Sequence, residues 1–492
     1  MKNNKNRIRS LFFLIHILFC QMNDDARMLG LNGSCTTLAK GFRSVGINPA
    51  NLAVYQTTSW NIIDYSFGVK NNYFSIKNYN ILSGSHLDDT THENYYSKDK
   101  ILEQFKGEGL RIFPNFHLRL PVLNISNNNY AFTSSISSNS EIGISNGVLE
   151  FILSGNPLNQ NVNLDINESI DITQELSFSY GHSFNGFAAG ITIKYLMGLF
   201  YMGIEPISNT TISTDYYGSH GNPQYIVRQE IGGQGIGLDL GIISNKSQNV
   251  YRIGASVINL LGTIHWNQNS FIQDNLGIEG LFSKMDYYLR PNELTYINMV
   301  VDSFVIDKAE DSLIYYEMYN VIPIETLTNP SDLAVELSDG TYLYPSGGTY
   351  KYIDVLNNID TSYTVSNNYL EYPIKSNSLH YTRKPIYLRI GMSKQWIDQA
   401  TIAFDLVTGF LNQSSSSTNW RFSLGIEITK FKNQYLRMGV AAGGIDGKSV
   451  SFGYGIDLGP LYIDTGLLLN GGGSIYTAKG FDFSTGLIWE IR

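Results

Sequence analysis

The chain is short of charge, of cysteine and of long apolar runs, and each shortage excludes a class. Only 16% of its 492 residues are charged, against ~25% in soluble domains, so its length does not divide into ordinary soluble domains. Cys20 and Cys35 are the sole cysteines, too few for a disulfide framework. After residue 20 no uninterrupted apolar stretch approaches the ~18 residues that span a bilayer as a helix. No basic patch appears and the formal net charge is −9, which excludes a nucleic-acid partner. What is present is 43% hydrophobic residues, with 33 Tyr, 25 Phe, 5 Trp and 46 Gly. That content excludes disorder and suits a large β-structure able to meet lipid.

The first twenty residues read as a secretory signal. Lys2, Lys5, Arg7 and Arg9 form a charged start, and Leu11 to Phe19 form an apolar core that would reach only about 14 Å as a helix at ~1.5 Å per residue. Phe19 stands where a lipoprotein signal needs a very small residue before Cys20, so cleavage before Gln21 without lipidation is expected. Removal of the leader takes the formal charge from −9 to −13 and leaves Cys35 as the one thiol.

From residue 60 the dominant signal is a period of two. Ile63, Tyr65, Phe67 and Val69 alternate with Asp64, Ser66 and Gly68, and Phe187, Ala189, Ile191, Ile193 and Tyr195 repeat the pattern. It is clearest late in the chain. Trp420, Phe422, Leu424, Ile426 and Ile428 alternate with Arg421, Ser423, Gly425, Glu427 and Thr429, and Phe452, Tyr454 and Ile456 with Ser451, Gly453, Gly455 and Asp457. Successive strand side chains point to opposite faces, so one face is apolar. The other carries Gly, Ser, Thr, Asn and an occasional charge, which suits the lumen of a closed barrel whose apolar face meets lipid. Roughly fifteen such segments are visible, and closed bacterial barrels take even numbers, so 14 or 16 strands are expected.

Tight turns are expected at 70–72, 124–129, 185–186, 245–248 and 459–460, where Asn, Gly and Pro supply the geometry. Long segments lie at 81–112, 145–173, 203–234 and 264–380. Short turns alternating with long loops is the outer-membrane pattern, with the turns periplasmic. Counting back from a periplasmic C-terminus starts the Trp60 strand on the wrong side. Either a strand before residue 60 is missing from the count or residues 21–59 thread the lumen as a plug. Ser97 is read as the cap of a helix over Lys98–Phe105, and Val148–Leu153 before Gly155 as a second helix. The 264–380 stretch is too long for a plain loop and reads as a lid or external subdomain.

Chemical motifs are weak. Gly447-Lys448-Ser449 imitates a phosphate loop, but strand pattern lies on both sides and Asp446-Gly447 is a hairpin signal. His86, Asp88, Asp89, His92 and Glu93 gather metal-binding residue types at a spacing that fits no defined site, so a solvated acidic loop is the reading. No nucleophile elbow or zinc-protease pattern occurs. No catalytic residue, cofactor or metal is assigned, and the protein is not read as an enzyme.

The segment Asp25-Ala-Arg-Met-Leu-Gly through Leu38-Ala-Lys-Gly41 to Gly46-Ile-Asn-Pro-Ala-Asn-Leu-Ala53 resembles the opening of FadL-like outer-membrane barrels. That superfamily includes long-chain fatty-acid transporters and the PorV shuttle of type IX secretion. The resemblance is nearest to an uncharacterised domain-of-unknown-function family of Bacteroidetes barrels. Gly237-Leu-Asp-Leu-Gly241, Gly254 to Gly262 with Trp266, Gly439 to Gly444 and Thr477 to Gly480 support it. It implies an N-terminal hatch within the barrel and places Asn48, Pro49 and Ala50 at its hinge. Pro49 fixes its own φ and pushes Asn48 toward extended geometry, making a stiff bend. The long 264–380 insertion and an Ile491-Arg492 terminus depart from the family pattern.

The expected protein is therefore all-β: a monomeric transmembrane antiparallel barrel of about 14–16 strands in the outer membrane. Its parts are a signal peptide (1–20), a plug or hatch (21–59), barrel sequence (60–263), an extramembrane insertion (264–380) and the remaining barrel (381–492). Outer-membrane lipids are expected partners. Two functions stay open: passive transport of hydrophobic or amphipathic small molecules, or a scaffold that binds exported proteins.

Overall fold

The structure is a computed structural model. It describes residues 25–491 except 156–159, 207–209, 215–217, 222–223, 231, 245–250, 411–416, 446 and, between 267 and 379, everything outside seven short strands. The expected signal peptide lies outside the described residues.

Fourteen strands close into one antiparallel barrel, each paired to its neighbours in sequence. They are β1 Thr58–Asn71, β2 Leu110–Arg119, β3 Tyr130–Ile144, β4 Ile166–Ser183, β5 Phe187–Pro206, β6 Gly233–Ser244 and β7 Arg252–Trp266. The second half comprises β8 Tyr387–Ile397, β9 Ala400–Gly409, β10 Arg421–Ile428, β11 Gln434–Gly443, β12 Gly447–Asp457, β13 Leu461–Asn470 and β14 Gly480–Ile491. β14 closes the ring on β1, from Thr58↔Ile491 to Lys70↔Gly480. Both chain ends of the barrel thus lie at one rim, which resolves the conflict in strand parity. The strand that lacked a clear signal is β3. Its Ser-Ser-Ile-Ser-Ser-Asn-Ser run shows little apolar alternation because Ser134, Ser138 and Ser140 share the outward phase with Tyr130, Phe132 and Ile136, while Thr133, Ser137 and Asn139 are buried on the inward phase.

Burial is inverted relative to a soluble sheet. On β10, Arg421, Ser423 and Glu427 are buried while Phe422 and Leu424 are about half exposed, and on β12 Ser449 and Ser451 are buried while Phe452 and Tyr454 are exposed. The outward apolar band is what a lipid-facing wall needs. No described helix is long and apolar enough to cross a membrane.

The two rims differ. At one, connections are short: Phe184 N–H donates to the Phe187 carbonyl at 2.7 Å around Gly186, and Leu458 to Leu461 at 2.8 Å around Gly459. The expected turn at 245–248 lies outside the described residues. At the other rim lie the long segments. The expected tight turn at Lys70–Asn72 is not one. Asn71 Oδ1 accepts the Tyr73 amide at 2.8 Å, and the chain enters a helix at Ile76–Leu82 capped by Ser75. The Asn side chain that reads as a hairpin signal here starts a loop instead. Further helices at Lys98–Glu103 and Asn146–Ser154 are capped by Ser97 and Ser145. Tyr73, Ile101, Phe105 and Leu110 make a small core beneath them. Above the same rim, strands drawn from 160–163, 211–221, 301–317 and 349–364 form a seven-stranded sheet.

Residues 25–57 precede β1 and lie inside the barrel. They contain α1 Ala26–Gly30, a 3₁₀ turn Gly41–Ser44 and α2 Asn51–Val54. Asp25 Oδ1 caps α1 by accepting from Met28 N at 2.9 Å. α1 packs on β12, β13 and β14, and α2 on β4 and β5, so the segment crosses the lumen.

Candidate functional site: the plugged lumen and its wall

The inward glycines of the wall leave room for this segment. A Cβ on Gly453 would come within 2.8 Å of Gly30 Cα, and one on Gly425 within 2.8 Å of the Leu31 carbonyl oxygen. Asn32 lies on Gly439, Thr36 on Gly391, Asn48 on Gly241 and Gly254, Pro49 on Gly190, and Ala53 on Gly181. Several are register partners: Gly181 with Gly190, Gly190 with Gly241, Gly254 with Gly391, Gly425 with Gly439, and Gly453 with Gly466. A collar of small residues thus runs around the wall, and the backbone inside sits directly on the backbone of the strands.

Charges fix the segment at defined points. Arg27 is bidentate to Glu427, with Nε donating to Oε2 at 2.9 Å and Nη2 to Oε1 at 2.8 Å. Glu427 also accepts from Arg437 Nε at 2.6 Å, Arg437 Nη1 donates to Asp464 at 2.6 Å, and Asp464 accepts from Arg43 Nη1 at 2.8 Å. The chain Arg27–Glu427–Arg437–Asp464–Arg43 therefore begins and ends on the segment and passes through β10, β11 and β13. On the adjacent strand, Asp405 of β9 accepts from Cys35 N at 3.0 Å, Thr36 N at 2.9 Å and Thr36 Oγ1 at 2.6 Å. Arg421 and Arg389 donate to the carbonyls of Asn32 and Gly33, each at 2.9 Å. These charges satisfy backbone groups that a short irregular segment leaves without helix or sheet partners.

Asn48, Pro49 and Ala50 lie at the bend where the segment meets β5, β6 and β7. Asn48 is fully buried. Its Nδ2 donates to the Ile242 carbonyl at 3.1 Å, and its Oδ1 accepts from Ala50 N at 3.1 Å. The latch residues Arg27, Arg43, Asp405, Arg437 and Asp464 were not singled out by motif. For Asp405, Arg437 and Asp464 the signal is a charge on the inward phase of an alternating strand, as with Glu427 beside Gly425. In the outer loop the His86 and His92 rings stack with centroids 3.5 Å apart. No group of three or more metal-ligand side chains is assembled among the described residues.

Nearer the loop rim, β7 departs from regular pairing. Ile236 faces Thr263, but Leu240 faces Val257, so β7 spends two extra residues in bulges. Asn259 and Leu261 take φ of 58° and 64°. Asn259 is held from within: Lys194 Nζ donates to its Oδ1 at 2.8 Å, its N donates to Asp239 at 2.8 Å, and its Nδ2 donates to the Pro385 carbonyl at 3.0 Å. Lys194 is paired with Asp239 at 3.0 Å and Glu175 at 3.2 Å. The β7–β8 ladder stops at Ile258↔Tyr387 and resumes only at Thr263↔Arg383, on the strand His380–Arg383. Pro385 has no N–H to offer in that interval. Above the interruption, Leu196, Tyr201, Ile264 and Trp266 form a buried apolar cluster on the inner face.

A family model described as "Family of unknown function (DUF5723)" matches residues 49–228. No curated protein matches the chain. Among solved structures it is similar to the Pseudomonas putida toluene transporter TodX, at 10% identity and a TM-score of 0.45, over 96% of this chain and 98% of that one. It is also similar to a Pseudomonas aeruginosa FadL homologue, at 11% and 0.44 over 97% and 100%. The monoaromatic hydrocarbon channel CymD matches at 11% and 0.41, over 95% and 96%.

Proposed function

We propose that this barrel sits in the outer membrane with its short turns periplasmic, and passes hydrophobic or amphipathic small molecules down their gradient. At 10–11% identity the likenesses above leave the cargo to be argued from this chain's own residues. The observation that carries the reading is the interrupted β7–β8 ladder above a filled lumen. Straight passage is obstructed by residues 25–57, whereas the apolar Leu196–Tyr201–Ile264–Trp266 cluster leads to a break in the β7–β8 ladder at 259–261. An apolar solute gains by leaving water for such a surface. In this reading Asn48, Pro49 and Ala50 are the hinge about which the plug shifts. The scaffold alternative draws no observation from the described residues.

Proteoliposomes containing the protein are expected to accumulate a long-chain fatty acid or an aromatic hydrocarbon faster than empty ones. Equal rates across both classes would remove the reading.

A further inference from the structure

The outer surface of the same wall carries a feature that passage through the lumen does not require. On the lipid-facing phase of β5–β7 lies a groove of about 500 Å³, within the ~300–1,000 Å³ of small-molecule sites. Its apolar part is Tyr195, Gly235, Ile236 and Leu261, and its polar end is Gln234, Thr263 and His265. Leu261 is held in the left-handed region at φ 64°, a conformation bulky residues avoid. Strain of this kind persists where surrounding structure imposes it. Here the bulge aims an exposed Leu side chain into the groove.

The polar end continues onto the next strand. Arg383 lies opposite Thr263, and Tyr381 opposite His265. Arg383 and Tyr381 are both exposed, and the guanidinium carbon lies 5.4 Å from the Tyr381 ring centroid. A cation on the lipid-facing phase is costly at the bilayer centre and tolerated at headgroup level. From Tyr251 to Thr263, with the two bulge residues discounted, the strand climbs about 26 Å, given a ~3.4 Å rise and ~40° tilt. That is the full height of a barrel's apolar band, so Thr263, His265 and Arg383 stand at its outer edge. The groove is thus apolar where acyl chains lie and cationic and hydrogen-bonding where headgroups lie.

We infer that this face is a binding site for a phosphate-headed membrane lipid, one acyl chain lying along Ile236 and Leu261 and the headgroup meeting Arg383, His265 and Gln234. The inference rests on the membrane placement proposed above, and not on transport. The guanidinium supplies the paired donors that phosphate oxygens accept.

The test reconstitutes the full chain in phosphatidylcholine vesicles doped with phosphatidylglycerol bearing a mid-chain diazirine, with crosslinked peptides mapped by mass spectrometry. Labelling of 193–197, 234–236 and 261–265 is expected to exceed that of the opposite wall, at 438–440, 452–454 and 467, at least several-fold. Leu261→Trp, which fills the groove, removes the excess, and Ile236→Trp serves if that variant does not fold. Arg383→Gln reduces the excess to that given by a diazirine diacylglycerol lacking phosphate. Uniform labelling, or an excess that survives both fillings, overturns the site. An excess insensitive to Arg383→Gln overturns the headgroup assignment. Uptake measured in the same vesicles separates the two proposals: uniform labelling with intact uptake sinks only the lipid site, and an excess without uptake sinks only transport.

Discussion

At the contact between Gly30 and Gly453 there is no room for a methyl group. The same holds where Thr36 meets Gly391 and Leu31 meets Gly425. Overpacking of this kind costs ~1–3 kcal/mol, and the barrel ladder has other bonds while the plug has few. Gly453→Val is therefore expected to loosen the plug and leave the barrel formed. Cys35, at 2% exposure, reports on this directly: its maleimide labelling should rise about tenfold for each ~1.4 kcal/mol of loosening. Unchanged labelling with the variant folded would mean the collar does not hold the plug. Glu427→Gln tests the latch from the other side. It leaves Arg27 buried without its counter-charge and Arg437 with Asp464 alone, and breaking a buried pair costs ~3–5 kcal/mol. Hydrogen exchange over residues 26–31 should accelerate strongly, with β-strand protection retained elsewhere.

Among the strands, legibility followed the contrast between faces. β10 and β12 were readable because each alternates large apolar with small or charged residues. β3 was not, because the filled lumen needs serines on one phase and its outward phase adds little contrast. Loop residues misled where one side chain serves two purposes, as Asn71 does in starting a helical loop. The plug latches were legible only as isolated charges, since pairs such as Arg27 with Glu427 are 400 positions apart. The β7 bulges left no sequence signal stronger than Asn259, a residue that tolerates left-handed geometry. The two bulge residues are expected to respond oppositely to glycine. Leu261→Gly removes a backbone cost of ~1–2 kcal/mol and should raise stability by about that amount. Asn259→Gly also suits the backbone but takes the acceptor from buried Lys194, at a cost of ~1–3 kcal/mol. Urea unfolding in vesicles followed by tryptophan fluorescence compares them, and like signs would refute this account of the bulge.

For the whole molecule, the question is whether a fourteen-stranded wall with a charged inner surface conducts. Arg389, Asp405, Arg421, Glu427, Arg437 and Asp464 all face inward, and a water-filled lumen lined this way would carry ions readily. With residues 25–57 in place, those charges are consumed by one another and by plug backbone, and Lys194, Asp239 and Glu175 hold one another in a buried cluster nearer the loops. The intact protein is therefore expected to be nearly silent in planar bilayers. Deleting residues 25–54 spares every strand of the ring and replaces the plug with water, so it should produce a steady ohmic conductance. Because the exposed lining mixes both signs, selectivity between small cations and anions should be weak and should fall further at high salt as screening shortens. An intact protein that already conducts as well as the deletion would show that the segment does not close the lumen. A deletion that forms a barrel yet stays silent would place the closure where Lys384, just before β8, reaches across to Ser137 of β3 at 3.2 Å.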